Sequence, residues 1–221
     1  MSSPVRPEDP PERLVPWITA CLEPLERWDP ALRSLHSDYD LAPDLRPEAP
    51  RLTPAAVLVP VVERAEGLTV LLTRRSAALR KHSGQIAFPG GRCDPGETPW
   101  AAALREAEEE VALDPARVTL AGLADGYETV TGYRVQPVVG FVRPPIALRA
   151  NPAEVADVFE VPFAWLMDPA NLERRFHDRP DGVRRFFYAL SWEDRLIWGA
   201  TAGMLRALRR RLFGGAEAAR S

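Results

Sequence analysis

Three glutamates near the end of one helix are where the sequence points to chemistry. From Pro99 to about Ala112 the chain reads as a helix, with Thr98 as N-cap and Pro99 in the first helical position. At roughly 100° per residue, Trp100, Leu104, Ala107 and Val111 share one face and Glu106, Glu109 and Glu110 gather on the other. A solvated helix face would give the same pattern, but two details argue against it. Glu109 and Glu110 lie at the helix C-terminus, where the dipole disfavours anions by ~0.3–1 kcal/mol. Glu106 and Glu110 are like charges four positions apart, which costs a few tenths more, and no lysine follows to relieve them. Crowded carboxylates become favourable around a hard divalent cation, and Mg²⁺ or Mn²⁺ fits best. Ahead of the helix, Gly90 and Gly91 allow close approach of backbone to a ligand, and Gly96 allows a tight turn.

The spacing gives this segment an identity. Gly91 is followed after five residues by Glu97, after seven more by Arg105-Glu106, and then by Glu109-Glu110 and Leu113. This resembles the Nudix box, the signature of hydrolases that cleave a nucleoside diphosphate linked to another group. The chain departs from it at Ala112, where the family has glycine, and Ala107 is a small version of the aliphatic position. The departure at Ala112 is expected to change the exit from the helix and to leave the acidic positions intact. The resemblance implies an α+β chain folded as an α/β/α sandwich around a mixed sheet, with the box as loop-helix-loop. It also implies a metal set of Glu106, Glu109 and Glu110, and a catalytic group of Glu106, Glu109 and Arg105. Arg105 is expected to pair with carboxylates such as Glu97 more than to touch substrate. A general base inside the box, or one of Glu128, Glu154 and Glu160 outside it, stays open.

A second stretch narrows the substrate. Residues 71 to 91 resemble the signature of the Nudix subfamily that hydrolyses coenzyme A. The match is at Leu71, Leu72, Thr73, Arg75, Ser76, Arg80, Gly84, Phe88, Pro89, Gly90 and Gly91, eleven positions in 21. Coenzyme A carries a 3′-phosphate beyond its diphosphate, and a basic cluster suits phosphate recognition. Arg75 and Arg80 are the favoured substrate contacts, joined by Arg74, Ser76, His82 and Gly91. A structural role is as good a reading for Arg74 and His82. The implied reaction is metal-dependent hydrolysis of coenzyme A, free, acylated or oxidised, to 3′,5′-ADP and 4′-phosphopantetheine. The alternatives are a Nudix hydrolase for ADP-ribose, NADH or dinucleotides, and a non-catalytic nucleotide-binding module.

Elements must position these groups. Residues 55–62 and 68–73 are β-branched runs parted by a polar turn, a hairpin signal. Further strands are expected at 118–123, 133–142, 155–161, 185–190 and 195–198. A second helix is expected over about 200–212, with Met204, Leu205, Leu208 and Leu212 buried and Arg206, Arg209, Arg210 and Arg211 suiting its C-terminus. Residues 1–50 form an N-terminal helix starting near Pro16 and carrying Leu14 to Trp28, then a proline-rich arm packed on the body. The hydrolase domain spans 51–213, and 214–221 is a flexible tail.

Composition sets the outer limits. The 28 basic and 31 acidic residues give −3, which argues against a nucleic-acid binder. With 23 Pro and 14 Gly in 221 residues, a helical bundle is disfavoured. Cys21 and Cys93 make neither a disulfide framework nor a zinc site. No signal peptide or membrane span is read, so a cytoplasmic protein is expected. Its partner is a small molecule, coenzyme A or a derivative, without nucleic acid or membrane; a homodimer is left open.

Overall fold

Alternation along two adjacent strands builds the layers. The computed structural model describes residues 4–31, 34–48, 51–78, 83–178, 182 and 184–218. In chain order the elements are α1 (Pro11–Cys21), β1 (His36–Ser37), β2 (Thr53–Arg64), β3 (Gly67–Arg75), β4 (Ile86–Ala87), β5 (Gly90–Arg92), α2 (Pro99–Val111), β6 (Val118–Leu123), β7 (Tyr127–Glu128), β8 (Tyr133–Val142), β9 (Val155–Pro162), α3 (Phe163–Met167), β10 (Glu173–Asp178), β11 (Arg184–Trp192), β12 (Arg195–Trp198) and α4 (Ala200–Ala218). β2 and β3 form the expected hairpin, while β8 runs parallel to β2 and β9 antiparallel to β3, so the main sheet is mixed. Successive side chains of a strand face opposite sides. Ala56, Leu58 and Val62 therefore pack on one side against Ala102, Ala103, Ala107 and Val111 of α2. Ala55, Val59 and Val61 pack on the other with Leu14 and Ile18 of α1, Phe163 of α3 and Leu205 of α4. The result is an α/β/α sandwich. A second sheet, β10-β11-β12, is antiparallel throughout.

The elements differ from expectation in four places. First, α1 starts at Pro11, where the missing N–H would be unpaired anyway, and Pro16 sits inside it on the exposed side. The helix stops at Cys21 because Glu23 exchanges two backbone hydrogen bonds with Leu123 (3.0 and 2.8 Å). Leu25 and Trp28 thus lie beyond the helix. Second, α4 runs past Leu212 to Ala218, because Gly214 costs a helix only ~1 kcal/mol and does not break it. The tail expected from residue 214 is helical as far as it is described. Third, the arginines of α4 serve more than the helix dipole. Arg211 binds Asp125 (2.5 Å) and the Cys21 carbonyl (2.6 Å), and Arg206 lies over the Tyr188 ring (4.6 Å).

The fourth difference concerns α2. Its buried stripe is Ala102, Ala103, Ala107 and Val111, with Glu110 among them, while Trp100 and Leu104 sit at the margin. Alanines let the helix lie close on β2, and that turns Glu110 inward. Trp100 meets Trp28 edge-on at 6.1 Å. Ala112 leaves the helix in the left-handed conformation (φ 54°, ψ 33°), its N–H reaching the carbonyls of Ala107 and Glu108. The exit is the one a glycine would make, so the departure from the box leaves the path unchanged and stores strain instead. Ala112→Gly is expected to stabilise the protein by about 1 kcal/mol, read from chemical denaturation, with turnover unchanged.

Candidate active site

The glycine pair is what lets α2 bring carboxylates down onto the sheet. β5 lies antiparallel on β2, with Gly90 opposite Val57 and Gly91 opposite Ala56. A methyl group on Gly90 would overlap the backbone of Ala56 and Val57 (2.7 Å to the Val57 Cα). A methyl group on Gly91 would instead overlap the Glu106 carboxylate (2.5 Å to its carbon). The Gly90 N–H donates to the carboxylate of Glu110.

Glu110 is 3% exposed. Burial pushes its carboxyl up to about 8; Arg75 opposes the rise, while Glu106 and Glu154 add to it. Glu106 is also raised, chiefly by burial and against the pull of Arg105. Glu109 differs: its side chain is 55% exposed. Arg105 organises the cluster as a fork. Its Nε and Nη2 donate to Glu97 (3.0 and 3.1 Å), Nη1 to Glu106 (2.9 Å) and, more loosely, Glu109 (3.5 Å). Nη2 also donates to the Arg92 carbonyl (3.1 Å). Glu97 in turn accepts the Asp94 N–H (2.8 Å), which ties the glycine loop to the helix. Arg105 therefore holds other groups in place.

The outside glutamates separate clearly. Glu128 is buried in an ion pair with Arg46 from the N-terminal arm, and Glu160 is held by Arg64 and Thr69. Glu154 lies beside the cluster. Its carbonyl accepts the Ser76 N–H (2.8 Å), and nearby the Asn151 N–H donates to the Glu110 carbonyl (2.8 Å). The charge of Glu154 is felt by both Glu106 and Glu110.

Among the described residues no three Asp, Glu, His or Cys side chains converge as a finished metal cage. Arg105 draws the Glu106 carboxylate toward itself, and Glu109 points out. The donor chemistry nevertheless suits a hard divalent cation. Glu106, Glu110 and Glu154 bring acidic oxygens close together, and burial, with the charges of Glu106 and Glu154 adding to it, pushes the Glu110 carboxyl up to about 8.

Beside the cluster opens a cleft of about 520 Å³. Gly90, Gly91, Arg75 and Arg92 form one side, and Arg185, Phe187 and Trp198 of the second sheet lie on its wall. Ser37, Asp38 and Leu41 show that the N-terminal arm walls the cleft as well. Of the substrate contacts read from sequence, Arg75 and Gly91 meet here. Arg75 also carries a buried Nε with no hydrogen-bond partner. Arg74 turns to Asp157 (3.6 Å), and Ser76 accepts the Ala78 N–H (3.3 Å), closing its own turn. Arg80 and His82 lie outside the described residues. Arg92, Arg185 and the Gly90 N–H were not legible in the sequence: no spacing marks them, and only the folded sheet brings them to the cleft.

A carboxylate-bearing helix laid over a glycine pair on a mixed sheet, inside an α/β/α sandwich, is the architecture of the Nudix fold. The family model for the NUDIX domain matches residues 52–186. The chain belongs to the Nudix hydrolase family, whose members act on phosphoric anhydrides and generally use divalent metal ions such as Mg²⁺. It is 46% identical over 190 residues to the uncharacterised Nudix hydrolase NudL of Escherichia coli O139:H28, covering 80% of this chain and 94% of that one. The NudL of strain K12 is 46% identical over 176 residues, covering 74% and 87%. Solved structures resembling it in fold include a Caenorhabditis elegans Ap4A hydrolase binary complex (23% identity, TM-score 0.43, 48% of this chain and 77% of that one). Another is the NUDIX domain of Shewanella oneidensis NrtR complexed with ADP ribose (21% identity, TM-score 0.40, 63% and 81%). No described helix is long and apolar enough to cross a membrane.

Proposed function

We propose that this protein hydrolyses the diphosphate of coenzyme A, free, acylated or oxidised, to 3′,5′-ADP and 4′-phosphopantetheine. The observation that carries the reading is the eleven-position match over residues 71–91, whose Arg75 and Gly90-Gly91 border the same cleft. Glu106 and Glu110, with Glu109 and Glu154 at the margin, would hold Mg²⁺ or Mn²⁺. A divalent cation there supplies charge neutralisation and an acidified water. The chain's own groups do the rest. Arg75, with its unpaired Nε, binds the diphosphate and offsets its charge. Arg105 fixes Glu106 and the loop through Glu97, so the carboxylates are preorganised. Glu106 or Glu154 accepts the proton of the attacking water as the new P–O bond forms and the bridging P–O bond breaks.

The test is incubation of the protein with coenzyme A, ADP-ribose and NADH in Mg²⁺ or Mn²⁺, with products identified by mass spectrometry. Coenzyme A is expected to yield 3′,5′-ADP and 4′-phosphopantetheine. Cleavage of ADP-ribose but not coenzyme A would overturn the substrate assignment. Binding without any turnover would make the chain a nucleotide-binding module.

A further inference from the structure

Among the described residues many arginines are held in ion pairs, and Arg185 stands apart from them on the cleft wall. On the second sheet, Arg175 is paired with Glu173 (2.7 Å), Arg184 with Asp178 (2.9 Å), and Arg195 with Asp157 (3.3 Å) and Glu193 (2.9 Å). Arg174 lies flat on Phe186 at 3.9 Å. Arg185 is different. It lines the cleft, half-buried, with its guanidinium 5.9 Å from the centre of the Tyr39 ring, and no carboxylate lies within ion-pair distance of it among the described residues. Asp38 is the one carboxylate among the described lining residues. Its oxygens are occupied by the Tyr127 hydroxyl (3.0 Å) and the Val130 N–H (2.8 Å), and burial holds its carboxyl above the usual range. Arg185 pulls the Asp38 carboxyl down across the cleft but forms no direct ion pair with it, so the guanidinium on the cleft wall has no carboxylate of the described residues bound to it. Directly across the strand pair stands His177, a second donor on the same wall. Beside it Phe187 and Trp198 meet edge-on at 5.4 Å and offer an aromatic surface.

We propose that Arg185, with His177 opposite it, binds a phosphate monoester carried on the nucleoside end of the substrate, separate from the diphosphate held at Arg75. A guanidinium on an aromatic wall matches a phosphate bidentately, and a dianionic monoester supplies the direct anionic partner that Arg185 is without. This rests on the coenzyme A reading, since a 3′-phosphate is what distinguishes that substrate from ADP-ribose, NADH or a dinucleotide.

The experiment is a binding measurement, so that it does not depend on turnover. Calorimetric titration with 3′,5′-ADP and with 5′-AMP is done on the wild type, on Arg185→Met and on Arg185→Lys. The wild type is expected to bind 3′,5′-ADP at least about tenfold more tightly than 5′-AMP. Arg185→Met is expected to lose that preference while keeping its affinity for 5′-AMP, and Arg185→Lys to retain part of it. The same split should appear in KM and not kcat for coenzyme A against its 3′-dephosphorylated form. An undiminished preference for the bisphosphate in folded Arg185→Met overturns the proposal. So does an equal loss for both ligands. If coenzyme A is not turned over but the wild type prefers 3′,5′-ADP through Arg185, the monoester site stands and the catalytic reading falls.

Discussion

Glu110→Gln is expected to lower metal-dependent turnover by about 10³-fold, the several kcal/mol of transition-state stabilisation a bound cation provides. The same substitution should make the metal-free protein more stable at pH 8. Burial raises the Glu110 carboxyl from its ordinary value to about 8. Between an unfolded value near 4.5 and that folded one, the native state binds more protons than the unfolded chain. Stability associated with Glu110 is therefore complete below pH 4.5 and declines as pH rises toward 8. A glutamine carries no such dependence. Thermal denaturation of metal-free wild type and variant at pH 5 and pH 8 checks this. Their Tm difference should be small at pH 5 and favour the variant at pH 8. Turnover near the wild-type level in Glu110→Gln would show that the ligand assignment is wrong.

Adding one methyl group at two adjacent glycines is expected to give opposite failures. Gly91→Ala pushes only against the end of the Glu106 side chain, which can swing away. The fold should survive while displacement of that carboxylate lowers kcat by about 10²-fold. Gly90→Ala pushes against the backbone of β2 at the centre of the sheet, and overpacking there should cost about 3 kcal/mol. Denaturation midpoints and kcat measured on both variants separate the effects. A Gly91→Ala enzyme with normal kcat would mean that the position of Glu106 over the loop is not needed for the reaction.

What the sequence made legible follows a physical line. The hairpin of β2 and β3 and the strands β6, β8, β9 and β12 carry β-branched or apolar runs, and each lies where its pattern places it. Thr98 caps α2 as its hydroxyl spacing implies, accepting the Ala101 N–H at 3.3 Å. The pairing of Arg105 with Glu97 was foreseen as well. β10 was not: Glu173 to Asp178 is charged and mostly exposed, and its strand form comes from pairing with β11. The short strands β1, β4, β5 and β7 have too few residues to show a period. On α2 the helical wheel gave the glutamates a shared outer face, but tertiary packing chose the alanines as the contact surface. That choice buried Glu110 and left Glu109 outside. Separating Glu154 from Glu128 and Glu160 likewise needed the fold, since only their partners distinguish three scattered glutamates.

The central claim is that a metal site on α2 serves a cleft built for coenzyme A. It is tested most directly by kcat/KM for coenzyme A and ADP-ribose, measured side by side on the wild type in Mg²⁺ and in Mn²⁺. The account predicts a preference for coenzyme A of at least about tenfold, abolished by chelation of the metal. Equal or greater efficiency with ADP-ribose, or hydrolysis that persists in excess chelator, would contradict it.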